Sequence, residues 1–216
     1  MPASANEQVE PQLKRHKLRI KVPIGQIETV IEEPEAAPRG LALIAHPHPL
    51  KGGSLDNKVA WTLARAALAC GLVAVRPNFR GVGASDGSFD HGIGETEDLL
   101  ALAASVAGHY GPLPWTLLGF SFGAYVQHRV ARELHAERLI MVGPAVSMYA
   151  FGANAAFANT ATTIIHGSED EVIPCAAARD YASRHDIPLI EIPGTGHFFH
   201  GRLRELQGQV ERLICP

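Results

Sequence analysis

Cysteine is scarce in this chain of 216 residues, and its three cysteines, Cys70, Cys175 and Cys215, lie far apart. An odd number at wide spacings does not suggest a disulfide framework, so we expect unpaired thiols and a reducing, cytoplasmic location. Cys70 ends an apolar helical stretch and is expected to be a small core residue. None of the three lies in a sequence setting typical of a cysteine nucleophile.

The chain also lacks a large excess of charge of either sign and any long apolar run. Nineteen Lys and Arg against 22 Asp and Glu give a net charge of −3, which argues against nucleic acid as a partner. No window approaches about 18 consecutive apolar residues, and the first ten residues have no apolar stretch, so neither a membrane span nor a signal peptide is expected. The one basic cluster, residues 14–17, is interpreted as the solvated face of an edge strand.

What the chain does contain is typical of a folded globular protein, with 46% hydrophobic and 19% charged residues. We expect a flexible tail over residues 1–12 and a single domain over residues 13–216. Alternating apolar residues at 18–22 and 27–31 predict an antiparallel hairpin with one face open to solvent.

Six short runs that are apolar on both faces follow the hairpin, as a buried parallel sheet requires. Helical patterns separate them. The runs are residues 41–45, 72–75, 115–118, 139–142, 163–165 and 189–192, and the helical patterns centre on residues 59–68, 99–106, 121–134, 174–185 and 200–214. This alternation predicts the α/β class, with an open, mostly parallel sheet and helices on both faces. Ligands of such sheets bind beyond the carboxyl ends of the strands, where every unusual polar motif of this chain occurs.

The first such motif is G-F-S-F-G, in which Gly119 and Gly123 flank Ser121 between a predicted strand and a predicted helix. A nucleophile at the tip of a tight strand-to-helix turn needs glycines on either side, because neighbouring backbone leaves no room for side chains. The helix N-terminus would favour negative charge developing nearby. The alternative is a serine that caps the helix between two permissive glycines.

This elbow, together with the two segments described next, resembles the α/β-hydrolase superfamily. Within that superfamily it resembles the small, lidless bacterial hydrolases related to dienelactone hydrolases and to serine aminopeptidase-like esterases. The resemblance covers roughly residues 39–204. It implies an α/β-hydrolase fold of about eight strands with a minimal lid, and a catalytic triad in the order Ser, acid, His.

The acid and the base fall on the ends of the last two strands. The segment H-G-S-E-D-E-V-I-P at residues 166–174 is similar to the family's H-G-x-x-D-x-x-V-P, which places the acid on Asp170, with Glu169 and Glu171 as competitors. The segment G-T-G-H-F-F at residues 194–199 resembles the family's G-x-x-H-x-F and places the base on His197, with His200 as a rival. An imidazole is suited to activate a serine, and a carboxylate fixes its tautomer.

The loop after the first buried strand has the sequence H-P-H-P-L-K-G-G. In the family this loop supplies one of the two backbone N–H groups that stabilise the oxyanion of the tetrahedral intermediate. The residue after the nucleophile supplies the other, which is Phe122. Since proline has no N–H, the loop donor is confined to His48 or Leu50 and later residues. Alignment with the family's H-G-x pattern favours His48 over Leu50.

No metal or other cofactor is expected. His46 and His48 have a spacing that could suggest a metal, but the loop holds no Asp, Cys or third His to complete a site. His46 is expected to hydrogen-bond the loop into shape. Arg80, in the glycine-rich segment after the second buried strand, is expected to anchor a loop at the rim of the site.

The predicted function is hydrolysis of a small carboxylic ester or thioester through an acyl-enzyme on Ser121. Only about 20 residues, 143–162, separate the fourth and fifth buried runs, which leaves no room for a large lid. A shallow apolar cleft for the acyl group is expected from Leu50, Met148, Tyr149, Phe151, Val172 and Phe198, with Pro144 and Phe122. A short-peptide peptidase and a non-catalytic binding protein remain alternatives. The expected partner is a small acyl substrate. Neither nucleic acid nor a membrane is expected as a partner, and the sequence leaves open whether the protein forms a homodimer.

Overall fold

A computed structural model of the protein describes residues 14–152 and 159–215. The strands are β1 (Arg15–Val22), β2 (Gly25–Glu32), β3 (Gly40–Ala45), β4 (Leu72–Pro77), β5 (Trp115–Phe120), β6 (Ala136–Val142), β7 (Ala161–Gly167) and β8 (Leu189–Ile192). The helices are α1 (Lys58–Ala69), α2 (Ile93–Tyr110), α3 (Phe122–Val130), α4 (Cys175–Arg184) and α5 (Leu203–Ile214), with a 3₁₀ helix at Pro49–Lys51. The tail predicted over residues 1–12 lies outside the described residues.

The eight strands form one sheet in the order β1-β2-β4-β3-β5-β6-β7-β8. Strands β3 to β8 run parallel, while β1 and β2 pair antiparallel with each other and β2 pairs antiparallel with β4. This confirms the prediction of a mostly parallel sheet. Because the central strands are covered on both faces, β3, β4 and β5 are buried along their whole length.

Helices cover the sheet on both faces, as predicted. On one face, the apolar stripes of α1 and α5 pack together, with Leu63 and Leu206 fully buried in the same core cluster. On the other face, α2, α3 and α4 contribute to a second cluster that includes Leu102, Val126 and Tyr181. Within the described ranges, no helix is both long enough and apolar enough to cross a membrane.

The amino-terminal hairpin differs from its prediction in one respect. The predicted pairing is confirmed, but the expectation of one solvent-facing side is wrong for β2, whose Ile27 and Val30 lie on opposite faces and are both buried. The reason is that β2 is an interior strand, enclosed between β1 and β4. The basic residues 14–17 are exposed at the start of the edge strand β1 and directly before it, as expected, and Lys17 pairs with the Glu28 carboxylate.

Two of the cysteines are paired, contrary to the sequence-based expectation. Cys70 is buried as predicted, but it forms a disulfide with Cys215 across a sequence separation of 145 residues. The bond is possible because α1 and α5 lie side by side and end at the same place, where Arg39 donates hydrogen bonds to the carbonyls of Cys70 and Ile214. Cys175 is a free, buried thiol. Because the inference of a reducing cytoplasm depended on unpaired cysteines, the disulfide removes its basis.

Candidate active site

Ser121 stands at the tight turn between β5 and α3, with φ 56° and ψ −116°. This left-handed backbone is strained for a residue other than glycine, and such strain is concentrated at functional sites. A Cβ on Gly119 would lie 2.5 Å from the Gly123 carbonyl oxygen, and one on Gly123 would lie 2.3 Å from that of Ala45. The two glycines are therefore required by close backbone contact, as the motif predicts.

The Ser121 hydroxyl does not cap α3, which makes the alternative interpretation of the motif wrong. It lies instead 3.0 Å from Nε2 of His197, and Nδ1 of His197 lies 2.7 Å from Oδ2 of Asp170. Since a carboxylate only accepts, Nδ1 carries the proton and Nε2 is left to accept the serine hydroxyl. The structure thus brings together the three side chains predicted from separate strand ends.

The residues that the sequence offers as an alternative acid or base do not belong to this hydrogen-bonded chain. His200 is exposed and stacks on Phe198, with ring centroids 5.9 Å apart. Glu169 is exposed. Glu171 contacts the backbone of the loop that carries His197: its Oε2 accepts the His197 backbone N–H at 3.2 Å. It makes no hydrogen bond to the imidazole in the part of the chain that the structure describes. This supporting contact was missed in the sequence, where Glu171 appears only as a competitor to Asp170.

The Asp170 carboxylate is buried but well supplied with donors. Its Oδ1 accepts the N–H groups of Val172 at 2.9 Å and Ile173 at 2.7 Å, and its Oδ2 accepts from His197. Burial acts to raise the pKa of Asp170, but the hydrogen bonds from His197 and Ile173 outweigh it and hold that pKa below its usual range. The group is therefore ionised at neutral pH.

The loop after β3 is shaped by His46, as predicted. Its Nε2 accepts the Phe79 N–H at 3.0 Å, and Nδ1 lies 2.7 Å from the Pro47 carbonyl oxygen, to which it donates. Burial lowers the pKa of His46 to about 4, against a weaker raising effect of the bond to Pro47. Within the described residues, no group of three or more His, Cys, Asp or Glu could hold a metal.

The two residues of this loop that are expected as oxyanion donors, His48 and Leu50, have different surroundings. The Leu50 N–H donates to Nδ1 of His48 at 3.1 Å, and the Leu50 side chain is 70% exposed. His48 instead lines the cleft beside Ser121, with its ring 5.2 Å from that of Phe122 and 4.8 Å from that of Phe89. Phe122 is the first residue of α3, whose N–H has no partner within the helix.

A cleft of about 380 Å³ opens in front of Ser121. Five predicted cleft residues line it: Phe122, Met148, Tyr149, Val172 and Phe198. Lining residues missed in the sequence are Pro47, Lys51, Gly52, Gly53, Asn57 and Ala145. Most of these continue the H-P-H-P loop, so their nearness in sequence was the available signal.

Three predicted cleft residues do not line it: Leu50, Phe151 and the buried Pro144. Leu50 points into solvent because the 3₁₀ helix at Pro49–Lys51 turns it outward. Phe151 packs against the rings of Tyr125 and Tyr181, with centroid distances of 5.3 and 5.5 Å, and so belongs to the core beneath α3 and α4.

Arg80 performs the anchoring role expected of it. It is 8% exposed, and its Nε donates to Oδ2 of Asp98 on α2 at 2.7 Å. This buried ion pair fixes the glycine-rich loop after β4 to the helix that follows it.

The chain is similar to several known proteins, although no protein-family model matches it. An uncharacterised protein of Rickettsia prowazekii is 30% identical over 206 residues, covering 89% of this chain and 85% of the relative. The structure of an α/β serine hydrolase homologue from Coxiella burnetii matches with 38% identity and a TM-score of 0.84, covering 93% of this chain and 97% of that one. The crystal structure of an α/β serine hydrolase without a lid, from Xanthomonas campestris, matches with 35% identity and a TM-score of 0.85, covering 92% and 93%.

These matches extend over nearly the whole length of both partners. They agree with the open eight-stranded sheet and with the short connection between β6 and β7. The chain therefore belongs to the α/β-hydrolase superfamily and is a hydrolase.

Proposed function

We propose that this hydrolase cleaves small carboxylic esters or thioesters through an acyl-enzyme formed on Ser121. The observation that carries the proposal is the continuous hydrogen-bonded chain from the Ser121 hydroxyl through His197 to Asp170, with distances of 3.0 and 2.7 Å. A serine hydroxyl is a weak nucleophile until a base within hydrogen-bond reach takes its proton.

Acylation begins when Oγ of Ser121 attacks the substrate carbonyl carbon and its proton passes to Nε2 of His197. The imidazolium that forms is stabilised by the Asp170 carboxylate, which remains ionised throughout. The tetrahedral intermediate collapses as His197 returns the proton to the leaving oxygen or sulfur. The alcohol or thiol departs, and the acyl group stays on Ser121.

The negative charge on the carbonyl oxygen needs donors that are already in place. The Phe122 N–H, at the start of α3, is the first, and the helix dipole adds to it. The His48 N–H is the second, because the Leu50 N–H is engaged by the His48 ring. His46 holds the loop that carries this donor through its bonds to Phe79 and Pro47.

Deacylation repeats the sequence with water. His197 takes a proton from a water molecule that attacks the acyl carbon, and it then protonates Oγ of Ser121 as the acid leaves. The overall reaction consumes one water and releases one carboxylic acid together with one alcohol or thiol. No cofactor takes part in this scheme.

The cleft is suited to binding a substrate with a small or flat acyl group. Its walls are largely apolar, with Met148 and Phe198 exposed at 59% and 42%, so the acyl chain is reached directly from solvent. Among the described lining residues there is no Asp or Glu that would bind the amine of a short peptide. This favours an ester or thioester over a peptide as substrate.

The proposal is tested by replacing Ser121 with Ala and measuring kcat/KM on p-nitrophenyl acetate, a short acyl thioester and a dipeptide. Loss of a triad nucleophile costs about 10⁴-fold or more, so ester and thioester activity should vanish in Ser121→Ala. Ser105→Ala, at an exposed serine on α2, is the matched control and should keep full activity. Activity that survives in Ser121→Ala, or a wild type that cleaves only the dipeptide, contradicts the proposal, and an inert wild type supports the binding-protein alternative.

A further inference from the structure

One buried imidazole at the site has no part in the scheme above. His166, on β7, is fully buried. Its Nε2 lies 2.9 Å from the Ile173 carbonyl oxygen and 3.3 Å from Oδ2 of Asp170. It therefore contacts the carboxylate that orients His197, and it does not line the cleft.

The two neighbours of Nε2 determine which tautomer His166 adopts. A backbone carbonyl and a carboxylate both accept only, so Nε2 carries the proton. Nδ1 is buried and makes no hydrogen bond within the described ranges, which fits an unprotonated nitrogen. Burial lowers the pKa of His166, so the ring is neutral at pH 7. It presents an N–H dipole to Asp170 without adding a positive charge.

His166 acts on both oxygens of the carboxylate. Its proton lies beside Oδ2, which accepts from Nδ1 of His197, and its bond to the Ile173 carbonyl fixes the residue whose N–H donates to Oδ1 at 2.7 Å. We propose that His166 is a positioning residue that holds the Asp170 carboxylate in the orientation in which Oδ2 faces His197. This inference rests on the proposed function, because it assigns His166 a role only if His197 is the base.

The neutrality of His166 is part of the role. The titratable groups around it are Asp170, His197 and Glu191, which is its register partner on the neighbouring strand β8. Glu171 contacts the His197 backbone. Cys175 also lies within electrostatic range of Asp170 and Glu191. A cation at position 166 would compete with the His197 imidazolium for the same carboxylate, whereas a neutral N–H orients Oδ2 and leaves its charge available.

The test compares two buried amides that differ by one methylene. In His166→Gln the side-chain N–H can reach the position of Nε2, while in His166→Asn it is too short to reach it. We expect His166→Gln to keep kcat within about threefold of wild type, and His166→Asn to lose about 100-fold, the cost of misplacing a catalytic group by about 1 Å. KM should change little in either, since His166 does not line the cleft.

The pH profile separates positioning from packing. In His166→Asn, Oδ2 loses the N–H dipole that lies 3.3 Å away and stabilises the imidazolium more strongly, so the acid limb of kcat/KM should move to higher pH by about half a unit. In His166→Gln the limb should stay in place. Equal losses in both variants without movement of the limb would mean that His166 serves only to fill space. Wild-type kcat in His166→Asn would also overturn the inference.

A measurement on the wild type keeps the inference testable if a variant fails to fold. Long-range ¹H–¹⁵N NMR should show His166 protonated on Nε2 alone between pH 7 and pH 8. A proton on Nδ1, or on both nitrogens, overturns the inference. Failure of the proposed function is recognised separately, by a wild-type Ser121 that does not react with a fluorophosphonate.

Discussion

His46 should make the protein lose stability as the pH falls below about 7, and the loss should begin above the range in which carboxylates titrate. The ring is fully buried, and its Nε2 accepts the Phe79 N–H, so protonation would turn an acceptor into a donor facing another donor. In the unfolded chain the same side chain binds a proton freely. Between the two pKa values the unfolded state therefore holds more protons than the folded state, and stability rises with pH.

The magnitude follows from the two pKa values. Burial lowers the pKa of His46 from 6.5 to about 4 in the folded protein. At 1.36 kcal/mol for each pKa unit, the free energy of unfolding should fall by about 3 kcal/mol in total. About 2 kcal/mol of this should be lost between pH 7.5 and pH 5, and the loss should level off below pH 4.

The assay is denaturant unfolding of the wild type and of His46→Gln at several pH values between 8 and 5. Glutamine does not titrate, so the difference between the two proteins isolates His46, while the contributions of other titrating groups cancel. We expect the stability advantage of the wild type to shrink by about 2 kcal/mol over this range. A difference that stays constant within about 0.5 kcal/mol would refute the assigned tautomer and burial of His46.

Three further predictions concern the disulfide, the cleft and the elbow. Replacing Cys70 with Ser should lower the free energy of unfolding by about 5 kcal/mol, the chain-entropy value for a loop of 145 residues, and leave activity at 25 °C intact; unchanged guanidinium unfolding would show that no bond forms with Cys215. Phe198→Ala should raise KM for an apolar ester with little change in Tm. Phe151→Ala should lower the free energy of unfolding by about 2 kcal/mol and leave KM unchanged. The reverse pattern would mean that Phe151, and not Phe198, lines the cleft. Gly123→Ala places a Cβ 2.3 Å from a backbone carbonyl oxygen and should lower kcat about 100-fold, so wild-type kcat would contradict the elbow geometry.

The parts of the site that could be predicted from the sequence are those fixed by strand ends. In a parallel sheet the carboxyl ends of the strands share one edge, so Ser121 after β5, Asp170 after β7 and His197 after β8 come together wherever the strands are correctly identified. The spacing of Gly119 and Gly123 around Ser121 carries its own steric reason. For these residues, local pattern and topology are sufficient.

The parts that could not be predicted depend on how elements pack side by side. The pairing of Cys70 with Cys215 requires α1 and α5 to end at one place on the same face, and nothing in the spacing of cysteines contains that. The outward turn of Leu50 and the inward packing of Phe151 are likewise tertiary, because an apolar residue near a site in sequence can face solvent, cleft or core. The burial of β2 follows from strand order rather than from its own alternation.

The proposed function depends above all on Ser121 being a nucleophile that His197 activates. It is tested most directly by treating the wild type, Ser121→Ala and His197→Gln with a fluorophosphonate at pH 7.5, followed by intact mass and peptide mapping. We expect one adduct per wild-type chain, mapped to Ser121, no adduct in Ser121→Ala, and labelling slowed by orders of magnitude in His197→Gln. An adduct on another residue, or equal labelling rates in all three proteins, would contradict it.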